Sequence, residues 1–258
     1  MLSGERLTVN GNPQVAPDSA SRSPLMSLTR PASGAVSLAG PAPLHAIGVM
    51  GGTFDPIHTG HLRMAEEMAE ALNLSQVRFI PAGQPPHRGM PRTSAPHRLE
   101  MVRRAVAGNP RFAVDAREVE QPAPSYTVDT LTALRAELGP DQPLWLLLGA
   151  DAFAGLPAWH RWQQLFALAH IVVATRPDAG ATRPDALGAE LKQELAHRQV
   201  PAGSATGPAG SLVFQNMTAL DISATRIRAT LARQGSARYL LPDAVLDYIH
   251  HQQLYLSL

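Results

Sequence analysis

The eleven residues Gly51-Gly52-Thr53-Phe54-Asp55-Pro56-Ile57-His58-Thr59-Gly60-His61 constrain this chain more than any other stretch. Leu44 to Met50 before them is apolar and predicts a buried strand, and Leu62 onward predicts a helix. A glycine turn therefore joins a strand to a helix start, and two histidines stand at that start. Adjacent glycines permit positive φ and let a ligand approach the backbone with no Cβ in the way. The first turn of a helix carries unpaired N–H groups and a partial positive charge. Strand, glycine turn and helix N-terminus together make a phosphate cradle. His58 and His61 are three apart and share one side of that turn, where imidazoles donate to phosphate oxygens, more strongly when protonated. Asp55-Pro56 fixes the turn ahead of the helix.

Other readings of the same residues are weaker. No Gly-Lys-Ser/Thr follows the glycines, so this is not an ATPase P-loop, and the glycine spacing does not fit the dinucleotide fingerprint. A zinc pair from His58 and His61 lacks a third ligand at a recognisable spacing, and the chain has no cysteine. A tight turn with two surface histidines remains open on these residues alone.

The rest of the chain supports an α/β reading. Strands are expected at Leu44–Met50, Gln76–Ile80, Phe112–Val119, Leu144–Leu148 and Ile171–Ala174, with short candidates at Leu212–Phe214 and Met217–Leu220. Helices are expected at Gly60–Leu72, from a cap at Thr93 or Ser94 to about Ala107, at Thr127–Leu138, Ser223–Gln234 and Pro242–Tyr255. The alternation predicts a Rossmann-like, doubly wound parallel sheet with helices on both faces and a C-terminal helical portion. Residues 1–43 are rich in Pro, Ser, Ala and Gly and read as a disordered tail, within which Met26 offers an alternative start. Residues 44–258 then form one domain, with a peripheral insertion at about 180–210 that carries a helix over Asp185–His197. A net charge of +1 argues against a general nucleic-acid or acidic-membrane surface. The absence of cysteine fits a reducing, cytoplasmic compartment, and no apolar run is long enough to span a membrane.

Further constellations carry chemistry. Ile222-Ser223-Ala224-Thr225-Arg226-Ile227-Arg228 places two hydroxyls, a helix N-terminus and a guanidinium together, a set that suits the β- and γ-phosphates of a nucleotide. A capped amphipathic helix with exposed arginines is the plainer reading. Gly149 ends a strand, and Asp151 after it can bond a ribose or an adenine edge. Trp159 can stack on a flat ring or simply pack in the core. Pro85-Pro86-His87-Arg88 lies in a loop, and Ser125-Tyr126-Thr127 stands at a helix N-terminus that can receive a carboxylate.

Taken whole, Gly51 to His61 matches at every fixed position the signature of the nucleotidylyltransferase superfamily, Gly-Gly-Thr/Ser-Phe-Asp-Pro-x-His-x-Gly-His. Ile222 to Arg228 resembles its second signature, Ile-Ser-Ser-Thr-x-Ile-Arg, with Ala224 in place of the middle serine and one hydroxyl fewer. Pro85 to Arg88, Ser125 to Leu131, and Gly149-Ala150-Asp151 followed by Leu156-Pro157-Ala158-Trp159 together resemble the nicotinate-nucleotide adenylyltransferase family, over roughly His45 to Tyr255. The resemblance implies adenylyl transfer from ATP, with Mg²⁺, to nicotinate mononucleotide. It implies that His58, His61 and Arg228 act on the transferring and leaving phosphates. Gly51, Gly52, Thr53, Phe54, Gly149, Asp151, Ser223 and Thr225 would hold ATP; His87, Arg88, Tyr126, Thr127, Trp159 and His160 would hold the acceptor. A sister transferase acting on another phosphate ester, and a nucleotide-binding regulatory module, are the alternatives. A DNA-binding role for the arginines of the last helices lacks a basic stripe.

Overall fold

The computed structural model describes residues 45–84, 90–121, 123–175 and 187–256. The expected tail and the expected roles of His87 and Arg88 lie outside those residues. In chain order come β1 (Ile47–Gly52), α1 (Thr59–Ala71), β2 (Gln76–Pro81), α2 (Ala95–Val106), β3 (Phe112–Val114), α3 (Arg117–Glu120), α4 (Thr127–Leu138), β4 (Leu144–Gly149), α5 (Ala150–Ala154), α6 (Leu165–Leu168), β5 (His170–Thr175), α7 (Ala189–Arg198), β6 (Leu212–Asn216), α8 (Ala224–Ala232) and α9 (Asp243–His251).

The six strands form one sheet in the order β3-β2-β1-β4-β5-β6, and every neighbouring pair is parallel. The order reverses between β1 and β4, whose registers align Val49 with Leu146. Ligands of such sheets bind outside the carboxyl ends of the strands at that switch point. Gly51-Gly52 and Gly149 are the carboxyl ends of the two strands that flank it.

Alternation along the strands builds the two faces. Trp145 and Leu147 of β4 join the cluster that includes Met68 of α1, Val102 of α2, Ile227 of α8 and Ile249 of α9. Leu144, Leu146 and Leu148 face the other way, toward Leu131 of α4, Phe153 of α5 and Leu191 of α7. Strands buried on both faces read as continuous apolar runs, as Leu144 to Leu148 does.

Several expectations change. The predicted strand over Phe112–Val119 is a strand only to Val114; Arg117–Glu120 is a helical turn, held where Arg117 bonds Asp115 and Glu137. Met217–Leu220 is irregular, with Thr218 N–H bonded to Glu67 Oε2 at 2.8 Å instead of a strand neighbour. The stretch expected to be a peripheral insertion carries α7 in the connection from β5 to β6, with Leu191 and Leu195 buried in the core, because a parallel pair needs a crossover that covers the sheet.

Candidate functional site

A cavity of about 1210 Å³ opens at the carboxyl ends of β1 and β4. Its floor is the loop from Gly51 to Asp55 and the start of α1. There the glycines work differently from expectation. Neither takes positive φ; the left-handed residue is Phe54, at φ +50. Its ring is buried edge-on to His61, with centroids 5.1 Å apart. A Cβ on Gly52 would meet that ring at 2.9 Å, so glycine is needed there for space. A Cβ on Gly51 would meet nothing within 4 Å, because this residue faces open cavity.

His58 and His61 both line the cavity, and their rings stack with centroids 3.7 Å apart. The His58 backbone N–H donates to His61 Nδ1 at 3.3 Å. That bond requires an unprotonated Nδ1, so in the neutral His61 ring Nε2 carries the proton. Burial lowers the His58 pKa from its ordinary 6.5 to about 4. His58 is therefore neutral near pH 7, and the protonated, stronger donor considered from sequence is not its resting state. Its Nδ1 is buried without a hydrogen-bond partner. The Ser125 Oγ is in the same condition, and both residues line this cavity. Buried polar atoms are seldom left so.

The second signature forms another wall. Ser223 caps α8, its Oγ accepting the Arg226 N–H at 3.3 Å. Thr225 is exposed to the cavity, and its Oγ1 accepts from Arg228 Nη2 at 3.2 Å. Arg228 Nη1 donates to the Asp55 carbonyl at 2.7 Å. The two signatures thus touch, 173 residues apart in sequence. A guanidinium has five N–H donors, so these two bonds do not exhaust it.

The remaining walls hold the other predicted residues. Gly149 and Asp151 border the cavity at the end of β4 and the first turn of α5. Thr127 opens α4 with Tyr126 as its cap residue. The Tyr126 ring lies 4.5 Å from that of His160, and Trp159, half-buried, both packs on the core and lines the cavity. An ion pair from Arg161 to Asp129 ties these two stretches together. Every predicted site residue among the described ones borders this one cavity.

Sequence reasoning missed a set of buried polar groups behind the floor. Arg98 is only 1% exposed and donates to the carbonyls of Thr53 at 2.7 Å, Gly83 at 2.9 Å and Thr93 at 3.2 Å. Its signal was a cation beside Leu99 on the apolar stripe of α2. Asp55, read as a turn residue, is buried with its carboxylate bonded to Tyr255 and to the Arg92 N–H. Glu118 is buried at the cavity wall, accepts from Thr130 Oγ1 at 2.6 Å, and has its pKa raised by that burial.

Residues 49–230 match the family model described as cytidylyltransferase-like. A protein of Dechloromonas aromatica (strain RCB), named probable nicotinate-nucleotide adenylyltransferase, is 57% identical over 211 residues, which are 81% of this chain and 97% of that one. The chain belongs to the nicotinate-nucleotide adenylyltransferase family. A relative of the same name from Pseudomonas putida (strain W619) is 52% identical over 81% of this chain and 94% of its own. Among solved structures, the Plasmodium falciparum nicotinic acid mononucleotide adenylyltransferase complexed with NaAD has a TM-score of 0.61 at 16% identity, over 82% of this chain and 97% of that one, a likeness of fold. The cytidylyltransferase-like span contains both signatures and all the cavity residues named above. Tyr255 lies beyond it. Among the described residues no helix is long and apolar enough to cross a membrane.

Proposed function

We propose that the chain transfers the adenylyl group of ATP to nicotinate mononucleotide, giving nicotinate adenine dinucleotide and pyrophosphate, in the cytoplasm. The observation that carries this is the joining of both phosphate-binding signatures and the Tyr126–Trp159 wall around one cavity, in a chain 57% identical to a relative of that name. ATP enters as its Mg²⁺ complex. The ion would be carried on phosphate oxygens and its own waters. Such an ion would supply neutralisation of the charge that the leaving pyrophosphate gains.

A phosphate oxygen of the mononucleotide attacks the α-phosphorus of ATP in line. A new P–O bond forms, the bond from the α-phosphorus to the bridging oxygen breaks, and pyrophosphate leaves with the electron pair. The acceptor phosphate is itself the nucleophile, so the chain supplies position and charge stabilisation without a covalent enzyme intermediate. The His61 Nε2–H donates to the oxygens that gain charge, and neutral His58 supports the same group. The N–H groups of Thr53 and Phe54, beside Gly51 with its open face, cradle the phosphates. Ser223, Thr225 and Arg228 take the β- and γ-phosphates, while Gly149 and Asp151 take adenosine. Trp159 stacks on the pyridine ring, and N–H groups near Thr127 and His160 receive its carboxylate; Tyr126 closes that side. His87 and Arg88 would act on the mononucleotide phosphate or on the triphosphate.

Pyrophosphate release with MgATP and a panel of acceptors tests this reading. Nicotinate mononucleotide should give a kcat/KM well above those of nicotinamide mononucleotide, phosphopantetheine and glycerol phosphate. Equal values for the two mononucleotides overturn the carboxylate assignment, and turnover only with another ester overturns the acceptor.

A further inference from the structure

A buried carboxylate is an odd lining for a cavity that takes a polyphosphate. Asp55 is 6% exposed and borders that cavity, in the middle of the first signature. A negative charge placed there repels the phosphates unless something else holds it. The structure shows what does. The Tyr255 hydroxyl donates to Asp55 Oδ1 at 2.6 Å, and the Arg92 N–H donates to Asp55 Oδ2 at 2.7 Å. The buried Arg98 guanidinium lies close enough to interact with the same charge while it holds the carbonyls of Thr53 and Thr93. The Asp55 carbonyl, on the same residue, accepts from Arg228.

Tyr255 comes from the turn after α9, four residues past its last residue, His251. It is 8% exposed, its phenol pKa is raised by burial and then by the Asp55 bond, and its backbone stands at φ +61. A bulky residue rarely adopts that conformation, and it persists only where the surroundings over-determine it. The aromatic ring alone would bury equally well as phenylalanine; the hydroxyl is the part that donates to Asp55 and bonds the Thr93 side chain beside it.

We infer that Tyr255 is a positioning residue for the polyphosphate site. It draws the Asp55 carboxylate into the protein, away from the anion, and thereby sets the carbonyl on which Arg228 rests. The C-terminal turn of the chain thus sets how the two signatures meet. This inference rests on the cavity taking a polyphosphate, and not on the identity of the acceptor.

The test measures inorganic tripolyphosphate binding by calorimetry, together with KM for ATP and for nicotinate mononucleotide, on the full chain. Tyr255→Phe should weaken tripolyphosphate and raise KM for ATP by about tenfold each, the usual worth of one hydrogen bond to a charged group. KM for the mononucleotide should stay within twofold. Ile249→Val, a core change in α9 remote from the cavity lining, should lower the thermal midpoint without moving either constant. In an Asp55→Asn background, where no carboxylate charge is left to draw away, adding Tyr255→Phe should change tripolyphosphate affinity by less than twofold, because Tyr255 acts through that charge. Tripolyphosphate affinity within twofold of the parent in Tyr255→Phe overturns the inference, as does an effect that multiplies with that of Asp55→Asn. If Tyr255→Phe does not fold, Asp55→Glu, whose longer side chain moves the charge off the Tyr255 hydroxyl, should weaken tripolyphosphate instead, and affinity within twofold of the parent overturns the inference equally. A parent chain that binds tripolyphosphate but does not turn over nicotinate mononucleotide overturns the proposed acceptor and leaves Tyr255 in its role. A parent that does not bind tripolyphosphate overturns the inference, and the proposed acceptor then stands or falls on turnover alone.

Discussion

At the scale of single residues, the two histidines divide one task. His58 is buried and neutral with its Nδ1 unpaired, while His61 is turned so that Nε2 carries the proton. His61→Ala should therefore cost at least ~10²-fold in kcat, as lost transition-state donors do, with the urea midpoint little changed. Steady-state pyrophosphate release and urea unfolding check both halves. Trp159→Ala should raise KM for nicotinate mononucleotide roughly tenfold while KM for ATP holds, since an aromatic stack adds about 1 kcal/mol or more to one substrate alone. Initial rates with each substrate varied in turn check that split. The glycines show how residue-scale reading can reach the right position by the wrong cause. Gly52 is needed because the ring of Phe54 fills the space of its Cβ, and the positive φ belongs to Phe54 itself. No pattern in the string says which residue bends left-handed; that is decided by where a buried ring finds room.

At the scale of elements, α2 matters more than its apolar stripe announced. Its Arg98 ties the loops after β1 and β2 to the start of α2 through three carbonyls. Arg98→Met keeps the length of the side chain and removes every donor, leaving buried carbonyls unpaired. It should destabilise the chain by about 3 kcal/mol, the upper range for a hydrogen bond to a charged group, and weaken ATP binding through the displaced Thr53 loop. Urea unfolding and KM for ATP read the two effects. The helical turn α3 is a second case. Arg78 and Arg117 share Glu137 and Asp115 across β2, β3 and α4, and this network fixes a segment whose composition read as strand. A Cβ on Gly83 would meet the Glu118 carbonyl at 1.9 Å, so β2's loop and α3 are in backbone contact. Ion pairs that bring in Arg78 and Glu137 from so far along the chain leave no local period, which is why the turn was not legible.

At the scale of the whole molecule, burial makes stability depend on pH. His58 has a folded pKa of about 4 against an ordinary 6.5, so the unfolded chain takes its proton first as pH falls. Stability is lost through that window, by ~2 kcal/mol from His58 at pH 5. His170, lowered by burial while bonded to Gly207 and Ser211, acts in the same direction. Glu118, raised by burial, acts in the opposite one. Between pH 7 and pH 5 the parent should lose about 2 kcal/mol more than His58→Asn does, a difference that urea unfolding at the two values measures. The sequence by itself determined the α/β order, the place of both signatures and the motif residues that border the cavity, because strand and helix periods and phosphate-binding turns are local. Only the tertiary structure decided that Arg228 rests on Asp55, that Tyr255 reaches the same carboxylate from the end of the chain, that α7 lies in a core crossover, and that His58 is neutral. Each of those depends on burial and on bonds between distant segments, which exist only once the sheet has closed on both its faces.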